Sequence, residues 1–310
     1  MKKFIYIVSI LVVMVFVLKL MLTNDTTKVA SNKAPIGLST FALYDIATHI
    51  AEDTQDFYMI MPFGADVHSF EPTPKLIAKI HNSALIIYNG TGLQPWIERM
   101  NFTSKAVDMS RFVDLKVVGK HHEHHDEHEG EHHHGTIDHH YWLDINNMIK
   151  MSNVITKELI LISPKNKELY EKNRDKYIAM LKNLDKEFKT KLSECKKDTI
   201  VVNHNAFSYL SDEYNFHSEA LSGLSPEAQP DAKTMIKLIK LIKEHHLSTV
   251  FFESFASDKA IKSIANEAHV KVDVLQALGN ITADEAKKHM TYEEIMKENL
   301  QKISQALECK

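Results

Sequence analysis

The strongest constraint on this chain is an alternation of short apolar runs with amphipathic helical patterns, repeated on both sides of a long helical stretch that lacks Gly and Pro. Pro35 to Ser39, Phe57 to Met61 and Ala84 to Tyr88 read as strands; Phe41 to Ala51, Pro74 to Ile80 and Gln94 to Met100 read as helices. Parallel strands need a crossover, so a βα series asks for a parallel sheet. From Ser163-Pro164 to about Cys195 a helical pattern sets Tyr170, Tyr177, Leu181, Leu184, Phe188 and Leu192 on one stripe, with Ser163 at the N-cap and Pro164 at the first helical position. About thirty residues at 1.5 Å each make a rod of roughly 45 Å, suited to joining two lobes. The alternation then resumes: strands at Thr199 to Asn203, Ser218 to Leu221, Thr249 to Glu253 and Lys271 to Leu275, and helices at Ala206 to Tyr214, Asp231 to His246, Asp258 to His269 and Tyr292 to Glu308. The fold class is α/β: two similar βα lobes with mainly parallel sheets, one long connecting helix, and a cleft between the lobes.

The 310 residues are about twice the usual domain size of ~150. The organisation expected is a first lobe over 34–145, a helical segment over 146–196 and a second lobe over 197–310. Residues 1–31 read as a signal peptide or signal anchor: Lys2 and Lys3 precede Phe4 to Leu18, apolar except for Tyr6 and Ser9. Val29-Ala30-Ser31 offers a cleavage site after Ser31, whereas retention of the apolar helix would leave a tether. No cysteine lies near this leader to accept a lipid. The two cysteines, Cys195 and Cys309, have no zinc-thiolate spacing; they are either a disulfide or two isolated thiols. With 37 basic against 41 acidic residues there is no basic excess to neutralise phosphates, which argues against nucleic acid as a partner.

Histidine is the outlier. Of 19, ten lie between His121 and His140, among six carboxylates. The run over 120–139 has almost nothing to bury and reads as a loop. His121, His122, His124, His125, His128, His132, His133, His134 and His139 there form an auxiliary metal-binding loop, since imidazoles at such density bind Zn²⁺. Open α/β sheets bind ligands beyond the carboxyl ends of their strands. There stand His68, after the Phe57 strand; His204, closing the Thr199 strand; and Gln276, closing the Lys271 strand. His140, in His140-Tyr141-Trp142-Leu143-Asp144, ends the His-rich run. Three neutral imidazoles suit zinc and leave one coordination position open.

The motifs Gly64-Ala65-Asp66-Val67-His68-Ser69-Phe70-Glu71-Pro72-Thr73-Pro74, Tyr88-Asn89-Gly90, His140-Tyr141-Trp142-Leu143-Asp144, His204-Asn205-Ala206-Phe207 and Gly223-Leu224-Ser225-Pro226-Glu227-Ala228-Gln229-Pro230 run in order through most of the chain. In these the chain resembles the metal-binding substrate proteins of ABC importers, specifically the zinc-uptake group of the cluster A-I family. The resemblance implies an extracytoplasmic, monomeric protein in the periplasm that holds Zn²⁺ as cargo between two lobes. It also implies partners: a membrane permease and its ATPase. Carried over by motif, His68 and His140 would come from the first lobe and His204 from the second. The family commonly has aspartate where Gln276 stands, so Gln276 is a fourth-ligand candidate beside water, chloride or Glu227. Asp273 is a poor substitute, because an odd offset turns it to the other strand face. Manganese-type relatives place a carboxylate at the position of His204, and nitrogen ligands favour zinc.

Other readings are a manganese- or iron-binding member of the family, a periplasmic zinc buffer or adhesin on the same fold, and a zinc hydrolase. For the last, His68 and Glu71 form H-x-x-E, but Pro72 and Pro74 bias Glu71 towards extended geometry rather than a helix. No nucleophile elbow, phosphate loop or dinucleotide fingerprint is present, and no enzymatic activity is expected.

Overall fold

A computed structural model of the chain describes residues 34–118, 136–225, 231–255 and 258–310. The leader, the histidines from His121 to His134, and Glu227 lie outside the described residues. The first half builds β1 (Ile36–Leu38), α1 (Phe41–Ala51), β2 (Phe57–Met59), α2 (Pro74–His81), β3 (Leu85–Tyr88), α3 (Pro95–Glu98) and β4 (Lys105–Asp108). These strands form a parallel sheet of order β2-β1-β3-β4. β1 and most of β3 are fully buried, as expected of central parallel strands covered on both faces. Gly37 in β1 is a packing requirement: a Cβ there would meet Ile86 Cδ1 at 2.7 Å and the Tyr58 hydroxyl at 2.8 Å.

Three strands were not read from the sequence: β4, at the edge of the first sheet, and β5 (Lys116–Val118), which pairs antiparallel with β6 (Thr136–Asp138). The loop read over 120–139 therefore ends before Thr136, because its last residues pair with β5 and are held by side chains from the second half. Next come α4 (Ile145–Ile162) and α5 (Lys167–Lys191). The long helix is thus shorter than the pattern suggests. Pro164–Asn166 form a 3₁₀ turn, Ser163 makes no side-chain cap, and α5 has 25 residues. Its stripe is packing: Tyr170, Tyr177, Leu181, Leu184 and Phe188 are buried.

The second half contains β7 (Thr199–His204), α6 (Ser208–Glu213), β8 (His217–Ser222), α7 (Ala232–Glu244), β9 (Thr249–Phe252), α8 (Lys259–Ala268), β10 (Lys271–Val274), α9 (Ala283–Lys287) and α10 (Tyr292–Ala306). Its parallel sheet runs β10-β9-β7-β8. Counted from the first strand of each half, both sheets have the order second-first-third-fourth. Each reverses direction beside its first strand, the place where open sheets form a crevice.

One continuous core spans both halves, from Ile36 and Leu38 through α1, α4, α5 and Ile200 to Ile303 in α10. The outer faces are covered separately. Ile60, Ile80, Ile86 and Ile97 cluster on the first sheet, and Leu238, Ile242, Val250, Ile261 and Ile264 on the second. Buried Asp45 of α1 joins three helices: Tyr177 donates to it at 2.6 Å and the Tyr292 backbone N–H at 3.1 Å. Burial raises its carboxyl above the ordinary range.

Cys195 and Cys309 form a disulfide that ties the end of α5 to the end of α10. The bond closes a sequence separation of 114 residues. Reduction, or Cys309→Ser, is expected to lower the unfolding free energy by about 2–4 kcal/mol through the freed unfolded chain. Urea unfolding followed by circular dichroism with and without reductant checks this; coincident midpoints would contradict it.

Candidate metal centre

Three imidazoles from the two halves of the chain converge in one place. One ligand nitrogen from each of His68, His140 and His204 can be chosen so that all lie within 4.8 Å of one another. Ring centroids are 5.5 Å apart for His68 and His140, 5.7 Å for His68 and His204, and 5.4 Å for His140 and His204. They come from the loop after β2, the turn after β6, and the last residue of β7.

His68 and His140 are each held by a carboxylate two residues earlier in the chain. The backbone N–H of His68 donates to Asp66 Oδ1 at 2.7 Å. Residues 65–73 form no helix, so His68 and Glu71 do not share a helical face. The loop carrying His68 is anchored across the molecule: Asn280 Nδ2 donates to the carbonyls of Pro62 at 2.9 Å and Ala65 at 2.8 Å, and Gly64 N–H to that of Ile281 at 2.9 Å.

His140 is oriented by Asp138, whose Oδ1 accepts both the His140 backbone N–H and Nδ1–H at 2.9 Å. Asp138 Oδ2 accepts the hydroxyl of Ser208 from the second half. Burial raises the Asp138 carboxyl, and these donors oppose the rise. Donation from Nδ1 leaves a lone pair on His140 Nε2, which is buried without a partner. Trp142 keeps this turn in place by donating from Nε1 to the Ala277 carbonyl at 2.6 Å.

His204 is fully buried. Glu253 Oε2 lies 3.2 Å from its Nδ1, within ion-pair reach but out of line, so neither ring nitrogen has a hydrogen-bond partner. Burial, then the nearby Asp66 carboxylate, push Glu253 up to about 8.

Gln276 is also buried. Its Nε2 donates to both Glu285 carboxylate oxygens at 2.8 Å and to Ser254 Oγ at 3.0 Å, while Oε1 has no partner. Only an N–H satisfies Glu285, so the amide orientation is fixed with its oxygen free. Asp273 lies 3.8 Å from Lys302. His139 is placed beside the three, its ring 4.5 Å from His140 and 5.1 Å from His68. The sequence reading missed Asp138, Glu253 and Asn280, whose partners are remote in sequence or come from unrecognised strands. An acid two residues before His140 was the one local signal.

The comparisons with known proteins point the same way. The family model described as "Zinc-uptake complex component A periplasmic" matches residues 36–306. The chain belongs to this family. It is 32% identical over 301 residues to the high-affinity zinc uptake system protein ZnuA of Bacillus subtilis strain 168, covering 92% of each. It is 31% identical to the zinc-binding lipoprotein AdcA of Streptococcus pneumoniae R6, spanning 56% of that longer protein. Among solved structures, the Zn(II)-bound ZnuA-like domain of S. pneumoniae AdcA superposes with a TM-score of 0.73 at 28% identity, over 89% of this chain and 99% of that one. The laminin-binding protein Lmb of Streptococcus agalactiae, described as bifunctional with adhesin and metal-transporting activity, gives 0.77 at 26% identity over 88% and 99%. The family is one of solute-binding proteins.

Burial lowers all four imidazoles: His68 and His139 to about 4, His140 and His204 well below their ordinary value. At neutral pH they stay uncharged, with lone pairs available to a cation. A histidine with a depressed folded pKa contributes its full stability above 6.5; below that the unfolded chain takes up protons the folded one refuses. Glu253, raised, acts in the opposite sense. The contribution of one histidine is therefore read by difference: metal-free His68→Gln should lose less stability than the parent between pH 6.5 and about 4. Parallel melting-temperature profiles for the two proteins would overturn the assignment.

Proposed function

We propose that this protein captures Zn²⁺ outside the cytoplasm with His68, His140 and His204 and delivers it to the membrane permease and ATPase of an ABC importer. The observation that carries the reading is the convergence of three imidazoles from opposite halves, with the Nε2 atoms of His140 and His204 buried and unpartnered. Unpartnered buried nitrogens cost stability until something binds them. Three neutral nitrogen donors favour zinc over manganese, and the names of the zinc-uptake relatives agree.

In this reading Gln276 Oε1 is a candidate for the fourth position, its amide turned so that the oxygen is free. The lobes are taken as 34–145 and 197–310, joined by 146–196. The periplasm is the compartment proposed, with 1–31 as export signal or tether. Among the described residues no helix is long and apolar enough to cross a membrane. The role is binding and hand-over rather than catalysis. The histidines of the run from His121 to His134, outside the described residues, serve as an auxiliary zinc trap.

His204→Ala should weaken zinc binding by orders of magnitude in a chelator-competition titration. Asp138→Asn should weaken it about 10–100-fold through loss of the His140 orientation. Unchanged affinity in His204→Ala would sink the site.

Deletion of residues 120–135, which leaves the β6 strand and Asp138 intact, should lower the zinc stoichiometry while sparing one tight site. Loss of tight binding on that deletion contradicts the division of labour. Transport itself is tested by growth: loss of the gene should impair growth in zinc-depleted medium, with recovery on added zinc but not on manganese alone.

A further inference from the structure

The four imidazoles around the site are not equivalent. His140 and His204 are 1% and 0% exposed, whereas His68 and His139 are each partly open. His68 and His139 therefore form the outer side of the cluster and His140 and His204 its interior. Their rings are 5.1 Å apart, and the His139 ring is also 4.5 Å from His140.

His139 is prepared as a ligand by its surroundings. One of its ring nitrogens donates to the Leu224 carbonyl of the second half. The other, Nε2, is buried and has no partner. Donation from one ring nitrogen leaves the other with its lone pair, so the unpartnered Nε2 is a free donor to a cation. Yet His139 stands outside the set of three whose nitrogens mutually converge.

The geometry points to His139 as a transfer ligand, which holds Zn²⁺ together with His68 as the ion passes between solvent and the three-histidine site. An arriving ion exchanges bound waters for His139 Nε2 and His68, then exchanges His139 for His140 and His204; release runs in reverse. In the exchange of His139 for His140 and His204 zinc keeps His68 and one further imidazole throughout, which lowers the barrier in both directions while leaving the end states alone.

This inference rests on the three-histidine reading, and the experiment separates the two. Stopped-flow mixing of the whole mature protein with Zn²⁺, and of the zinc-loaded protein with a chromogenic chelator, gives the association and dissociation rates. In His139→Ala both rates should fall together by about tenfold, with their ratio held within about threefold. His139→Glu, which keeps a zinc ligand, should recover most of the loss. His139→Gln, which keeps an N–H for the Leu224 carbonyl, should be as slow as the alanine variant if the Nε2 lone pair is what matters.

Unchanged rates in His139→Ala overturn the proposal, and so does a loss of affinity with unchanged association, which would make His139 a resting ligand. Failure of the underlying site shows differently: His204→Ala would then bind zinc as tightly as the parent.

Discussion

The buried segment from Leu275 to Ile281 is the strut on which the site depends. It leaves the second sheet at the end of β10 and passes into the first half, where Asn280 holds the His68 loop by two carbonyls. Along the way Gly279 accepts the Phe41 N–H that starts α1, and Ala277 accepts the Trp142 indole beside His140. Every residue in it is buried, so its backbone N–H and C=O groups find their partners within the protein. One stretch of backbone thus sets the distance between ligands that are 136 positions apart in the chain, His68 and His204.

A parallel sheet places its reactive residues at the carboxyl edge, and doing so twice lets His68 and His204 meet from two such edges. The interior of such a site is expensive for charge. Burying uncharged imidazoles, and giving the Asp138 carboxylate three donors, limits that cost before a cation arrives. The continuity of the core from α1 to α10 means that the two sheets also share hydrophobic packing, in addition to the covalent link of α5 and the disulfide.

How much of this was legible in the sequence follows from how local each signal was. The central strands and α1 were marked by unbroken apolar runs and by period, and α1 spans the range read for it, Phe41–Ala51. The histidines at strand ends were visible because a parallel sheet makes that edge special. β5 and β6 were not, because their pattern is short and half exposed and their pairing joins residues across the His-rich run. Ser163 misled as a cap because Pro164 opens a 3₁₀ turn before the α-helix begins. Whether Cys195 and Cys309 paired could not be read either, since 114 intervening residues carry no local sign of proximity. Asn280 and Glu253 were silent for the same reason: each acts on a residue that only the tertiary fold brings near.

Asp138 receives the imidazole of His140 from its own half and the hydroxyl of Ser208 from α6 in the other. The neighbouring Tyr209 also reaches across, donating to the Asp138 carbonyl at 2.9 Å. The carboxylate is consequently a gauge of the spacing between halves. If α6 shifts by an ångström, Ser208 withdraws its share of the Asp138 charge, and more of that charge falls on His140 Nδ1–H and makes Nε2 a better donor. The spacing between the halves and the basicity of His140 Nε2 are then two readings of one variable.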